Sequence, residues 1–228
     1  RDWSSDVCSS DLQVISGAEK LLPRWKQVIA TENEALGFAL GELYVQKYFP
    51  PSSKKEVTDI LNNIKIALAK DIKNLAWMSP ETRLAALEKL KKMQARVGYP
   101  DKWWDYSSLH IDRKSYLENI IRTNIFLNKR DLDKIGKPVD RTEWGMTPQT
   151  VNAYYDPSMN NINLPAGILQ PPFFDPKAPA AVNYGSLGYV IGENEHLIKK
   201  YLKQVNIVFL VLVGALVLYY VWKKNSQK

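Results

Sequence analysis

Residues 56–75 read EVTDILNNIKIALAKDIKNL and decide the fold class of the chain. Their apolar positions recur at the i, i+3, i+4, i+7 spacing of one helix face, and the pattern continues for about five turns. These positions are Val57, Ile60, Leu61, Ile64, Leu68, Ile72 and Leu75. A helix with one apolar stripe has to pack against other elements. We therefore expect a mainly α-helical body.

Two more helices flank this segment. Pro50 and Pro51 separate it from an earlier helical stretch with apolar residues spread over 25–44. After it, Ser79-Pro80-Glu81 is typical of a helix start, because serine accepts a hydrogen bond at the cap and proline fits the first turn. Glutamate in that turn faces the positive end of the helix dipole. We expect this helix to end at Gly98, which would supply a left-handed C-terminal cap.

The hydrophobic pattern changes between residues 113 and 181. A fourth helix is predicted from Arg113 to Asn128, and its inward residues would be Tyr116, Ile120, Ile121 and Ile125. In residues 151–164, apolar and polar positions alternate on both sides of a turn-forming stretch, which predicts a β-hairpin. The proline-rich segment 165–181 is predicted to be an ordered or extended loop.

Charge and composition exclude several classes of protein. The chain has 228 residues, a formal net charge of +7 and 45% apolar residues, so a long disordered polymer is excluded. The lysines are spread along helical faces, whereas a nucleic-acid surface would need a dense basic stripe. The single cysteine, Cys8, cannot form an internal disulfide bond. Two histidines, His110 and His196, are too few for an all-histidine metal site.

Five stretches carry a family resemblance. They read WMSPETR at 77–83, VGYPD at 97–101, VNAYY at 151–155, LPAGILQPPFF at 164–174 and NYGSLGYVIG at 183–192. In this order and spacing they resemble the neprilysin and endothelin-converting-enzyme (peptidase O-like) family of zinc metalloendopeptidases. The resemblance implies part of a helical lid domain joined to the beginning of a catalytic domain. It also implies a parent enzyme that hydrolyses oligopeptides with a zinc-bound water.

The resemblance ends where the zinc motif would begin. In the family, His-Glu-x-x-His follows Ile-Gly directly on a helix; its two histidines bind zinc and its glutamate activates water. This chain has Glu193 in place of the first histidine and Asn194 in place of the glutamate, and His196 lies one residue too early. Zinc is therefore implied for the parent family. In this chain we expect no metal site, no catalytic residues and no peptide hydrolysis.

A substrate-binding strand is also implied by the resemblance. In the family, the residues that match Asn152 and Ala153 bond the main chain of a peptide, which is strand addition at a sheet edge. We therefore assign substrate binding to Asn152, Ala153 and Tyr154, with an oligopeptide as the partner. The alternative is that Asn152 is only a polar residue on an exposed strand face.

Both ends of the chain differ from its middle. Residues 1–12 have neither a helical nor a strand period and no signal-peptide pattern, and they resemble the translation of a sequencing adapter. Residues 205–222 are apolar enough for a transmembrane helix of about 27 Å with aromatic residues at its ends. We expect this helix to associate the chain with a membrane, and the parent enzyme to be secreted, periplasmic or extracellular-facing.

The predicted fold is thus mainly α: a multi-helix lid-domain fragment, a short β-hairpin from the start of the catalytic domain, and a C-terminal transmembrane helix. The predicted parts are an adapter-like artefact at 1–12, a partial helical N-terminal-type peptidase domain at 13–140, a truncated start of the catalytic domain at 141–192 and an unrelated tail at 193–228. The predicted function is that of a neprilysin-like zinc metalloendopeptidase fragment without its zinc motif. The alternative is a non-enzymatic, membrane-anchored helical module that binds peptide or protein.

Overall fold

The computed structural model describes residues 22–194, and their fold is mainly helical with one small sheet, as predicted. The described residues divide into two compact units, a first unit of residues 22–37 and 105–137 and a second unit of residues 38–104 and 138–194. The described elements, in chain order, are α1 (Arg24–Tyr48), α2 (Pro51–Asn74), α3 (Pro80–Lys92), β1 (Gln94–Gly98), α4 (Tyr116–Leu132), β2 (Tyr154–Asp156), β3 (Asn161–Pro165) and α5 (Ala180–Asn194).

The apolar stripe of α2 forms the centre of the second unit's core. Val57, Ile60 and Leu61 are each at most 3% exposed, and Leu68 and Ile72 are also buried. This stripe packs in one cluster with Phe49, which lies between α1 and α2, and with residues from the sheet, from the loop after β3 and from α5. The largest fully buried side chains of the cluster, besides Phe49 and those of the stripe, are Ile162, Leu164, Leu169, Phe174, Leu187 and Ile191. The periodicity of residues 56–75 is therefore confirmed as a core-facing helix surface.

The start of α3 follows the prediction. The Ser79 hydroxyl accepts a hydrogen bond from the Thr82 backbone N–H at 3.2 Å, and Pro80 occupies the first turn. The Arg83 guanidinium donates to the carbonyl oxygens of Leu75 and Met78, at 2.7 and 3.0 Å. These bonds satisfy carbonyl groups left open where the chain passes from α2 to α3.

The end of α3 corrects the prediction for Gly98. The helix ends at Lys92, and residues 94–98 form strand β1. Gly98 has the predicted left-handed backbone, with φ of +79°, but it ends a strand and caps no helix. The physical reason is long-range pairing: β1 hydrogen-bonds to β3, which lies far along the chain, and local helix-stop residues cannot reveal such a partner.

The sheet has the strand order β1-β3-β2. β2 and β3 pair antiparallel, so the predicted hairpin is confirmed, and Asn160 in its turn has a φ of +51°. β1 pairs with the other edge of β3 in parallel, from Gln94 opposite Asn161 to Gly98 opposite Pro165. The sequence predicted two strands here, and the third strand makes β3 the centre of the sheet.

Residues 166–179 form turns, which agrees with the predicted ordered loop. The following segment, Ala180–Asn194, is the helix α5, for which the sequence pattern gave no prediction. Three glycines in this segment weaken its helix propensity. Its tertiary packing compensates, because Leu187, Val190 and Ile191 are at most 7% exposed.

The first unit corrects the predicted inward face of α4. Tyr116, Ile121 and Ile125 are 42%, 49% and 63% exposed, and Ile120 is half-buried. The helix instead buries Thr123, which is 1% exposed, and Phe126 stacks on Tyr106 with ring centroids 5.4 Å apart. Apolar periodicity identifies a stripe on a helix, but it does not say which side neighbouring segments cover.

Residues 205–222, for which a transmembrane helix was predicted, lie outside the described part of the chain. Among residues 22–194, no helix combines the length and the apolar character that crossing a membrane requires.

Replacement of Gly98 by alanine should destabilise the second unit by about 2–4 kcal/mol. A Cβ at this position would lie 2.4 Å from Cε1 of Phe49, and φ of +79° strains any L-residue with a side chain. Urea denaturation followed by circular dichroism measures the loss. Gly136→Ala is the matched control, because Gly136 has φ of +75° and no atom within 4 Å of its added Cβ. Equal losses in the two variants would show that the contact with Phe49 contributes nothing.

Candidate substrate-binding strand

Asn152, Ala153 and Tyr154 lie at the beginning of β2, which is the terminal strand of the sheet within the described residues. β2 pairs with β3 on one side only, from Tyr154 opposite Asn163 to Asp156 opposite Asn161. A strand at the end of a sheet offers its outer edge to an added strand. The predicted substrate segment thus lies at a strand edge that pairs with no other strand among the described residues.

Asn152 and Ala153 have different surroundings. Asn152 is exposed, and its Oδ1 accepts a hydrogen bond from the Ala153 N–H at 2.8 Å. Ala153 is 6% exposed and belongs to the hydrophobic core cluster. Its methyl group therefore packs in the core. Asn152 keeps its amide NH₂ as a donor on the surface.

Tyr154 anchors a neighbouring loop. Its hydroxyl accepts a hydrogen bond from the Gly145 N–H at 2.7 Å. Burial raises the pKa of Tyr154, while the Gly145 N–H and the nearby Arg96 charge act in the opposite direction. Arg96 also holds the loop, because its Nη1 donates to the Glu143 carbonyl oxygen. Of the three assigned residues, Tyr154 is thus the one that ties β2 to the segment before it.

The hairpin turn fixes the far end of β2. The Asp156 carboxylate accepts hydrogen bonds from the Ser158 N–H and hydroxyl, at 2.8 and 2.6 Å. The Ser158 bond is the main reason that the pKa of Asp156 is lowered. On the other side of the turn, Asn160 donates to the Lys89 carbonyl and accepts from the Tyr155 hydroxyl. The register of the hairpin is therefore set by polar side chains as well as by the ladder.

The LPAGILQPPFF stretch, residues 164–174, contributes to the packing of the second unit. A Cβ on Gly167 would lie 2.4 Å from the Gln149 carbonyl oxygen, and the Gly167 N–H donates to the Pro148 carbonyl at 2.7 Å. Only glycine permits this approach of the 148–150 segment. Ala166, Ile168, Leu169 and Phe174 of the same stretch are buried.

Asn183 is a buried polar junction that the sequence analysis did not identify. It is 1% exposed; its Oδ1 accepts from the Asp175 N–H, and its Nδ2 donates to the Asp175 carbonyl and, at 3.5 Å, to Glu56 Oε1. Nearby, the Ser186 hydroxyl donates to the Phe173 carbonyl at 2.6 Å. These bonds fasten the first turns of α5 to the loop before it. An asparagine just inside a helix that follows a proline-rich loop is the feature that could have indicated this role.

Residues 193 and 194 stand where the family resemblance places the start of the zinc motif. The backbone of α5 continues through Glu193 and Asn194, so the position is helical, and His196 lies outside the described residues. Between residues 22 and 194, no group of three or more His, Cys, Asp or Glu side chains is placed to hold a metal ion. His110 is an exposed residue of the first unit.

Substitution of Asn183 by alanine should cost about 2–3 kcal/mol of stability, because it leaves the part-buried Asp175 N–H and carbonyl without their partner. Val182→Ala is the matched control: this neighbouring side chain is 54% exposed and has no polar atom to lose, and we expect a change within about 0.5 kcal/mol. Chemical denaturation of the two variants beside the parent chain checks both values. A neutral Asn183→Ala substitution would show that the junction does not hold α5.

Comparisons with known proteins agree with this architecture. Two family models match the chain, and both are described as peptidase family M13: the N-terminal model at residues 8–100 and the second model at residues 152–206. The second match continues past Gly192 through the position of the zinc motif. Among curated relatives, the chain is 39% identical over 187 residues to an endothelin-converting enzyme homolog of Locusta migratoria, covering 79% of this chain and 26% of that protein.

Human endothelin-converting enzyme 1 is 38% identical over 198 residues, covering 82% of this chain and 25% of that protein. The chain thus spans about a quarter of the length of these curated relatives. Among solved structures, the inhibitor complex of Mycobacterium tuberculosis zinc metalloprotease Zmp1 has a TM-score of 0.75 at 46% identity, covering 83% of this chain and 29% of that one. PepO from Lactobacillus rhamnosis also has a TM-score of 0.75, at 31% identity, with 85% and 31% covered. The chain belongs to peptidase family M13.

Proposed function

We propose that this chain provides the part of an M13 zinc metalloendopeptidase that binds the main chain of an oligopeptide, and that the chain itself does not cleave peptides. One observation carries the binding half of the proposal: Asn152 is exposed directly before β2, the terminal strand of the sheet. The family membership supports the reaction class. Relatives in this family are described as zinc metalloproteases and endothelin-converting enzymes.

Peptide binding would occur by strand addition beside β2. A peptide in extended conformation gains main-chain hydrogen bonds at a sheet edge, and side-chain contacts add to them. Asn152 contributes its amide NH₂ to a peptide carbonyl, since its Oδ1 already accepts from the Ala153 N–H. Ala153 offers its backbone carbonyl to the peptide, while its methyl group packs in the core. The hydroxyl of Tyr154 holds Gly145.

The chemistry of hydrolysis would need groups that residues 193–194 do not supply. In the parent family, zinc polarises a water molecule and a glutamate accepts its proton. Glu193 replaces an imidazole ligand, and the carboxamide of Asn194 is not basic enough to accept a proton from water. In this proposal, the residues that bind the substrate, at 152–154, are therefore distinct from the residues that would carry out hydrolysis.

The second candidate function is a membrane-anchored module that binds peptides without cleaving them. The specific observation in its favour is that β2 is held by β3, Asp156 and Tyr154, none of which depends on the zinc motif. The apolar segment 205–222 would provide the anchor. DNA reads across the codons for Gly192 and Glu193 distinguish the two: an uninterrupted gene favours the binding module, and a break favours a portion of an enzyme.

In a full-length M13 peptidase that carries this strand, alanine at the position of Asn152 should reduce kcat/KM by about tenfold, the effect of one lost hydrogen bond to substrate. Zinc content should stay at one per chain. Alanine at the position of the exposed neighbour Val151 is the matched control, because its side chain has no polar atom to lose. Unchanged kinetics in the first variant would remove Asn152 from the binding site.

Purified as given, the chain should contain no stoichiometric zinc and should cleave a fluorogenic oligopeptide no faster than a chelator-treated sample. The expectation follows from the replacement of both the ligand and the general base at 193–194. Metal analysis by mass spectrometry and a cleavage assay are the two measurements. One tightly bound zinc per chain together with chelator-sensitive cleavage would contradict the proposal.

A further inference from the structure

The three-stranded sheet has one polar and one apolar face. Residues paired directly across neighbouring strands point to the same side. On one side, Val97, Ile162, Leu164 and Tyr155 face the hydrophobic core. On the other side the register brings Arg96 opposite Asn163, and Asn163 opposite Tyr154. Asn161, two residues before Asn163, lies on this same side.

The two asparagines of this polar face are buried. Asn161 is 1% exposed and Asn163 is not exposed at all. Trp144 is 6% exposed, and the segment around it is tied to the sheet by two bonds, from Arg96 to the Glu143 carbonyl and from the Gly145 N–H to the Tyr154 hydroxyl. Polar side chains that lose contact with bulk water in this way need other hydrogen-bonding partners.

Protein atoms do not supply all of those partners. The Nδ2 of Asn163 donates to Oδ1 of Asn161. This leaves three buried atoms without a protein partner: Asn161 Nδ2, Asn163 Oδ1 and Arg96 Nη2. If both amides are rotated by 180°, the pair keeps its mutual bond, and one NH₂ group and one carbonyl oxygen are still left over. The lack of hydrogen-bond partners therefore does not depend on how the two side-chain amides are oriented.

The chemistry of the three atoms identifies what would satisfy them. Asn161 Nδ2 and Arg96 Nη2 are donors, and Asn163 Oδ1 is an acceptor. An anion would be repelled by the carbonyl oxygen, and a cation by the guanidinium. Water both accepts and donates, and internal waters make about three bonds to polar groups of this kind.

We propose that this face of the sheet is an internal water site, in which at least one ordered water is held by Asn161, Asn163 and Arg96. The water bonds the central strand β3 to Arg96 of β1, and Arg96 in turn holds the Glu143 carbonyl. It thereby completes the connection between the sheet and the 143–145 segment that covers it.

Water NMR on the full chain with ¹⁵N-labelled asparagine tests the site directly. The side-chain amides of Asn161 and Asn163 should show cross-relaxation with a water of long residence time. The matched control is Asn183, which is equally buried but has all of its amide groups bonded to protein atoms, and it should show no such water. Absence of the signal at both Asn161 and Asn163, or an ion at the site in a crystal structure, would overturn the proposal.

A double-mutant cycle of Arg96→Lys and Asn163→Val gives a second measurement. Lysine keeps the positive charge and a donor for the Glu143 carbonyl, and valine removes the amide. The two side chains make no direct hydrogen bond, so a bridging water predicts a coupling of about fivefold in the unfolding equilibrium constant. Additive effects, with a ratio of one, would contradict the bridge. If either variant does not fold, the NMR measurement on the unaltered chain still decides.

Discussion

The double pairing of β3 is the constraint on which the second unit depends. This five-residue strand bonds to β1 in parallel on one edge and to β2 in antiparallel on the other. All of its residues are buried. A parallel pair requires a long connection, and here that connection contains α4 and the segments beside it. β3 therefore joins the helical half of the sequence to the half that carries the edge strand β2.

The junction after β1 shows how closely the helices and the sheet are fitted. Gly98 ends β1 in a left-handed conformation, and its missing side chain leaves room for the ring of Phe49 at the end of α1. Lys54 of α2 then donates to the Tyr99 carbonyl at 3.1 Å, and its ammonium lies 4.1 Å from the Tyr99 ring. Its ion pair with the exposed Asp101 adds little, because water screens it. The backbone and aromatic contacts hold this turn.

Local features of the sequence predicted the parts of the fold that local physics decides. The α2 stripe, the Ser79 cap, the hairpin and the left-handed Gly98 all follow from periodicity, capping or backbone sterics. The strand β1 and the helix α5 were not predicted, because each depends on distant partners: β1 on β3, and α5 on the core around Leu187. The exposed side of α4 belongs with these, since apolar spacing does not show what covers a face.

In the candidate site, too, only part of the arrangement could be predicted from the sequence. The resemblance and the alternation of residues together predict that residues 152–154 lie at the beginning of a strand. The separate duties of these residues could not be predicted, because they depend on surroundings: Ala153 lies in the core, whereas Asn152 is exposed. Sequence resemblance weights every residue of a motif alike, and packing is what distinguishes a ligand-facing side chain from a supporting one.

Most of the family-like stretches serve architecture in this chain. Gly167 permits the approach of the 148–150 segment, and Asn183 and Ser186 fasten α5 to the preceding loop. None of these bonds involves positions 193–194. The packing that places the edge strand is therefore maintained by residues other than those at which the family resemblance ends. Because separate residues are involved, the candidate peptide-binding edge does not depend on the residues at positions 193–194.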